Sequence, residues 1–135
     1  MQEMGASACT DITGFGLLGH AAEMIEGTDV GMIVYATAVP VFAEAEELAA
    51  MGMVPAGLYL NRDFRKSIVE FSPDVSQFQM DILFDPQTSG GLLISVSEDK
   101  AESLLERLHQ AGVTEAAVVG EIVAYPKGKI IVEAR

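Results

Sequence analysis

Basic side chains are scarce in this 135-residue chain: 8 Lys and Arg face 20 Asp and Glu, a formal charge of −12. Nucleic-acid binding needs a basic face that displaces counterions, so that class is excluded. The same field repels ATP, and a phosphate held here needs a metal ion or a basic partner domain beside it. Cysteine is nearly absent. Cys9 alone rules out an internal disulfide and suits a reducing cytosol. No apolar run approaches the ~20 residues of a membrane span. The opening Met1-Gln2-Glu3-Met4-Gly5 lacks the basic head and apolar middle of a signal peptide. A soluble cytoplasmic domain is expected, with neither nucleic acid nor membrane as partner.

Familiar catalytic spacings are missing too. No Gly-Lys-Ser/Thr follows the glycines, so there is no Walker A loop, and the dinucleotide fingerprint needs another glycine spacing. Without Cys-x-x-Cys, paired histidines or Ser–His–Asp spacing, zinc chemistry and nucleophilic hydrolysis have no support. Cys9 has no basic neighbour to favour its thiolate and reads as a packed small thiol. His20 and His109 fall on or near the polar sides of helices. Repeats, heptads and low-complexity tracts are absent.

What remains is one domain of interleaved helices and strands. Met1 to Met4 reads as a last helical turn closed by Gly5, the tail of something longer. The spacing of Leu17, Leu18, Ala21, Ala22 and Ile25 predicts a helix over 13–26, capped by Thr13 and ended by Gly27. A strand over 29–36 is apolar enough to be buried on both faces. A second helix, 41–51, turns Phe42, Ala45 and Ala49 inward and Glu44, Glu46 and Glu47 to solvent. The segment 53–79 is the hardest to read. Val54-Pro55-Ala56-Gly57 is turn chemistry, Asn61-Arg62-Asp63-Phe64 starts a helix ending near Phe71, and Ser72-Pro73-Asp74 breaks it. Asp85-Pro86-Gln87-Thr88-Ser89-Gly90-Gly91 reads mostly as a turn, stiffened by Pro86 and bent at Gly90-Gly91, that leads into a buried strand, 92–96, with Asp85 as its one candidate to face a ligand. A helix over 97–111 follows, capped by Ser97, with Ala101, Leu104, Leu105 and Leu108 as its stripe and Gly112 as its stop. Segments 117–125 and 129–133 predict a closing antiparallel hairpin around Pro126-Lys127-Gly128. The sum is an α+β fold with a mixed, largely antiparallel sheet packed with helices.

The most informative stretch is Thr10-Asp11-Ile12-Thr13-Gly14-Phe15-Gly16-Leu17-Leu18-Gly19-His20. A carboxylate stands two residues before a threonine and a glycine at a helix start. Asp11 is either a turn residue accepting backbone N–H groups or one ligand of Mg²⁺, which takes one or two carboxylates with waters and phosphates. Thr13 and Gly14 let a backbone with free N–H groups approach an anion, or merely allow close helix packing.

The stretch from Ala8 to His20 closely resembles the signature opening the C-terminal domain of the selenophosphate synthetase (selenide, water dikinase) family. Val54-Pro55-Ala56-Gly57 with Asn61-Arg62, and Leu83-Phe84-Asp85-Pro86-Gln87-Thr88-Ser89-Gly90-Gly91-Leu92-Leu93, resemble two further family blocks in the same order. The likeness runs to about Val96. Aminoimidazole ribonucleotide synthetase and the hydrogenase maturation and thiamine phosphate kinases share the architecture but differ in the first block. The resemblance implies an enzyme that turns ATP, selenide and water into selenophosphate, AMP and orthophosphate within a homodimer. It implies Asp11 as a Mg²⁺ ligand and Thr13 and Gly14 near the ATP phosphates. The family's glycine-rich N-terminal loop, with its catalytic Cys or selenocysteine and Lys, has no counterpart here. Residues 1–135 are therefore expected to form a single C-terminal domain lacking the N-terminal ATP-binding domain. Such a domain is inactive alone, contributes no catalytic residue, and is prone to self-association. A non-catalytic assembly module and a sister synthetase or kinase of the superfamily are the other readings.

Overall fold

The computed structural model describes residues 4–87 and 90–135. The chain runs through β1 (Ala8–Asp11), α1 (Gly16–Ile25), β2 (Gly31–Tyr35), a 3-10 turn (Ala36–Ala38), α2 (Ala43–Ala50) and α3 (Gly57–Arg65). It continues through β3 (Val69–Phe71), α4 (Gln77–Leu83), β4 (Leu92–Ser95), α5 (Glu98–Gln110), β5 (Gly120–Val123) and β6 (Ile130–Glu133). Four strands form a sheet in the order β3-β6-β2-β5, and β1 pairs with β4 in a separate ribbon. The fold is α+β with a mixed larger sheet, as expected, but that sheet is not largely antiparallel: β2-β6 and β3-β6 are parallel pairs and only β2-β5 is antiparallel. No helix among the described residues is long and apolar enough to cross a membrane.

The larger sheet is organised around β2 and β6, which lie parallel with Met32 opposite Ile130 and Val34 opposite Val132. All four side chains are buried, and alternation places them on one face. On that face pack Leu18, Ala21, Ala22 and Ile25 of α1, Leu58 of α3, and Leu83 and Phe84 at the end of α4. The Phe84 ring meets Phe71 edge-on at 6.2 Å.

The expected closing hairpin does not form. β5 pairs antiparallel and β6 parallel with β2, so the two run oppositely as hairpin strands do, but β2 lies between them. The burial pattern supplies the reason. Ile130 and Val132 are fully buried and need apolar neighbours on both sides, which β2 and β3 provide. β5, with Glu121 and Ile122 exposed, suits an edge.

Other boundaries shift for local reasons. The helix expected over 13–26 begins only at Gly16; Phe15, not Thr13, holds the N-cap position and gives no side-chain cap. Phe42, expected inside, is 85% exposed, because the 3-10 turn and Pro40 delay α2 until Ala43. Ala49 is buried and Ala45 half-buried, while Glu44, Glu46 and Glu47 face solvent as expected. In the middle, Val54–Gly57 leads directly into α3, so Asn61 sits mid-helix, and Val69–Phe71 is strand. Helix α4 carries a reciprocal cap: the Gln79 N–H donates to Ser76 Oγ, and the Ser76 N–H donates to Gln79 Oε1. Strand β4 forms at its expected place but is not buried. Among the described residues it pairs only with β1, and Leu92 is exposed. Cys9 is exposed rather than packed. Ser97 takes the N-cap position of α5, without a side-chain cap bond. The helical turn expected over Met1–Met4 falls mostly on residues outside those described, as do Thr88 and Ser89 of the glycine-rich loop.

Candidate functional site

Three segments far apart in sequence meet where β1 ends. The first is the loop Ile12–Phe15, continuing β1 into α1. Antiparallel pairing sets Asp11 opposite Leu92, and the ladder runs on through Ile12 N–H to Gly91 O and Gly90 N–H to Ile12 O, each 2.9 Å. The second segment is Asp85–Gln87, whose Gln87 N–H donates to Thr13 O at 3.0 Å. The third is α3. Its Asn61 Nδ2 donates to Gly14 O at 2.9 Å and to Phe84 O at 3.1 Å, tying the other two together. Gly57 at the start of α3 abuts Pro86, since a Cβ there would stand 3.2 Å from Pro86 Cγ.

Gly16 explains why this junction is so close. Its φ is +70°, and an added Cβ would lie 2.7–2.9 Å from the Phe84 and Asp85 backbone. A side chain there would be both strained and excluded.

The sequence-predicted residues share one loop. Asp11 ends β1 on its exposed side, and its carboxylate has no hydrogen-bond or ion-pair partner among the described residues. Cys9 lies two residues earlier on the same exposed side. Gly14 is exposed, with open space where a side chain would be. Neither Gly14 nor Phe15 gives its N–H to a backbone acceptor among the described residues, and α1 begins there with no side-chain cap. Two free donors at the positive end of a helix suit an anion. Among the described residues no three His, Cys, Asp or Glu side chains group to hold a metal. A single unpartnered carboxylate has the chemistry to serve a hard cation only as one ligand among phosphates and water.

Thr13 has a different partner from the one expected. Its Oγ1 lies 3.0 Å from His20 Nε2, and His20 Nδ1 lies 2.9 Å from Glu23 Oε2. His20, expected near the polar side of its helix, is only 7% exposed. Helix α1 is packed by β1, α3, α4 and β6, so even the side opposite Leu18 is covered. Asp85 is half-buried, and desolvation raises its carboxyl pKa above the ordinary 3.8.

Sequence reasoning quoted His20 and Asn61 within the motif blocks without giving either a role in this junction, and it missed Glu23 and Arg65. A signal existed for two of them: Leu58, Asn61 and Arg65 recur at helical spacing, so polar groups share the inner stripe with a buried leucine. Arg65 is buried, its guanidinium 3.8 Å from both Glu23 and Glu26.

The model of the family described as "AIR synthase related protein, C-terminal domain" matches residues 1–133, and the chain belongs to that family. Within it, the chain is similar to the selenide, water dikinase of Pelobacter propionicus, with 51% identity over 133 residues, 98% of this chain and 38% of that protein. Selenide, water dikinase 2 of Peptoclostridium acidaminophilum is 47% identical over 126 residues, 93% of this chain and 36% of that protein. The selenide, water dikinase of Caldanaerobacter subterraneus is 48% identical over 122 residues, covering 90% and 35%. The chain thus spans well under half the length of these curated relatives.

Proposed function

We propose that this chain is the C-terminal domain of a selenide, water dikinase, in which the whole protein makes selenophosphate, AMP and orthophosphate from ATP, selenide and water. The observation that carries the reading is the meeting of three motif blocks around Asp11, Thr13 and Gly14, supported by 51% identity over nearly the whole chain. In this reading Asp11 is a Mg²⁺ ligand and Thr13 and Gly14 border the ATP phosphates. Magnesium, when bound, offsets phosphate charge against a chain whose net charge is −12. The chain's own part is positional. Asp11 holds one side of the cation, the free Gly14 and Phe15 N–H groups face phosphate oxygens, and Asn61 fixes the loop that carries them. An N-terminal domain of the same protein supplies the remaining metal ligands and the nucleophile, so residues 1–135 alone are inactive. The protein works in the cytoplasm as a homo-oligomer, with ATP and selenide as its ligands.

The test is Asp11→Asn in the full-length protein. Selenide-dependent AMP formation should fall on the order of 100-fold or more, as loss of a direct ligand should exceed loss of a supporting group. Undiminished turnover in the folded variant would overturn the assignment. Calorimetry of residues 1–135 with Mg·ATP should show negligible heat, and tight binding there would contradict a shared site.

A further inference from the structure

Thr13 belongs to a line of side chains that the reading above does not use. Thr13 Oγ1, His20 Nε2, His20 Nδ1 and Glu23 Oε2 follow one another at 3.0 and 2.9 Å across the ring, and the Arg65 guanidinium stands 3.8 Å from the other oxygen of Glu23. The Phe15 ring lies 5.6 Å from the His20 ring and helps to shield it from water. Gly19 permits that cover, since a Cβ at residue 19 would come 2.6 Å from Phe15 Cβ. The arrangement is local to α1 and the loop before it, and it ends on a hydroxyl two residues along the chain from Asp11.

With His20 neutral, the proton positions follow from donor and acceptor chemistry. An ionised carboxylate only accepts, so His20 Nδ1 carries the proton that bonds Glu23. A neutral imidazole then has a bare Nε2, and a threonine hydroxyl has a single proton to give it. With that proton directed at His20, Thr13 Oγ1 turns only lone pairs outward. A hydroxyl so held cannot donate to a phosphate oxygen. It can accept from a donor, and the donor suited to a site beside a magnesium-binding carboxylate is water on the cation.

We propose that His20, fixed by Glu23 as the Nδ1–H tautomer, is a positioning residue that makes Thr13 an acceptor for a hydrated divalent cation, leaving phosphate to the Gly14 and Phe15 N–H groups. This rests on the functional reading above for Asp11 and Gly14, and revises it for Thr13, which it moves from the phosphates to the cation.

Two measurements on the full-length protein test it. ¹⁵N-histidine NMR reads the tautomer without any substitution and without ligand. A protonated Nδ1 and bare Nε2 on His20 at neutral pH is expected, whereas an Nε2–H tautomer or an imidazolium overturns the proposal. Thr13→Val keeps the shape and removes the hydroxyl. It should raise the Mg²⁺ concentration for half-maximal activity about tenfold, in the range lost with an outer-shell partner, while KM for ATP at saturating Mg²⁺ stays within about twofold. Thr13→Ser should restore the wild-type requirement, a result that loss of packing alone would not give. Adding His20→Leu to Thr13→Val should change the Mg²⁺ requirement no further if the two act as one unit. An unmoved requirement in Thr13→Val, with Asp11→Asn inactive, overturns the role of Thr13 alone. Normal turnover in Asp11→Asn overturns the functional reading and the cation role together.

Discussion

Helices α1 and α5 read alike in sequence and differ in the fold. Each shows an apolar stripe at helical spacing, a start signal and a terminal glycine. Helix α1 buries seven of its ten residues, polar His20 among them, while α5 buries one of thirteen, Leu104. Periodicity reports that a helix has an apolar side; it does not report what covers that side. Helix α1 is enclosed by the large sheet, α3 and α4, whereas Leu104 lies outside the main core cluster. The enclosed helix therefore carries the site geometry, and the open one contributes little to it.

Truncation tests that contrast most directly. Leu18 is fully buried in the main core, so Leu18→Ala should lower stability by about 3–5 kcal/mol through lost transfer energy and a cavity that rigid neighbours cannot close. Leu104→Ala should cost about 1–2 kcal/mol, because a helix covered on few sides relaxes into the space. Urea unfolding of the two variants measures the gap. Equal losses would mean that α5 is as firmly packed as α1.

Asn61 sharpens the comparison, since its contribution is polar and lies on the enclosed side. Asn61→Ala leaves Gly14 O and Phe84 O without their side-chain donor, and should cost about 1–3 kcal/mol. The loss should also loosen the loop before α1. Amide hydrogen exchange around residues 13–16 should accelerate while that of α5 stays unchanged. Uniform acceleration across both regions would show that Asn61 supports the fold in general rather than this junction.

How much of this was readable follows from the range of the interactions involved. Helices α1 and α5, strand β2 and the α+β class rest on local periodicity, which the chain states openly. The ribbon of β1 and β4 joins Ala8 to Ser95, and four alternating residues such as Ala8-Cys9-Thr10-Asp11 carry too little signal to reveal it. The hairpin expectation failed because turn chemistry at Pro126-Lys127-Gly128 reports a reversal, not whether a third strand enters between the arms. Thr13 has the residue type of an N-cap, yet its hydroxyl goes to His20, seven residues on, and the helix starts uncapped. The motif blocks marked Asp11, Thr13 and Gly14 as one loop. Sequence did not show that Asn61 binds that loop to Phe84, since only tertiary packing brings α3 there.

The smallest expected effect has the opposite sign, and it separates the junction from an ordinary core. Burial raises the pKa of Asp85, so the folded chain holds this proton more readily than the unfolded one. From 3.8 up to the raised value the native state carries the extra proton, and stability falls as pH rises through that window. Above it the whole cost of the buried charge is in place. Asp85→Asn removes the cost and should melt slightly higher than wild type at pH 7. At pH 3 the carboxyl is protonated in both states and the two proteins should melt together. The cost falls beside a helix start crowded against the Phe84 and Asp85 backbone. The α5 side offers the control: Glu98→Gln, on an exposed first turn, should lower stability slightly at pH 7 by weakening the charge opposite the helix dipole. If Asp85→Asn also lowered the melting temperature at pH 7, its carboxylate would be a structural partner like the others, and the junction would lose its distinction from the rest of the molecule.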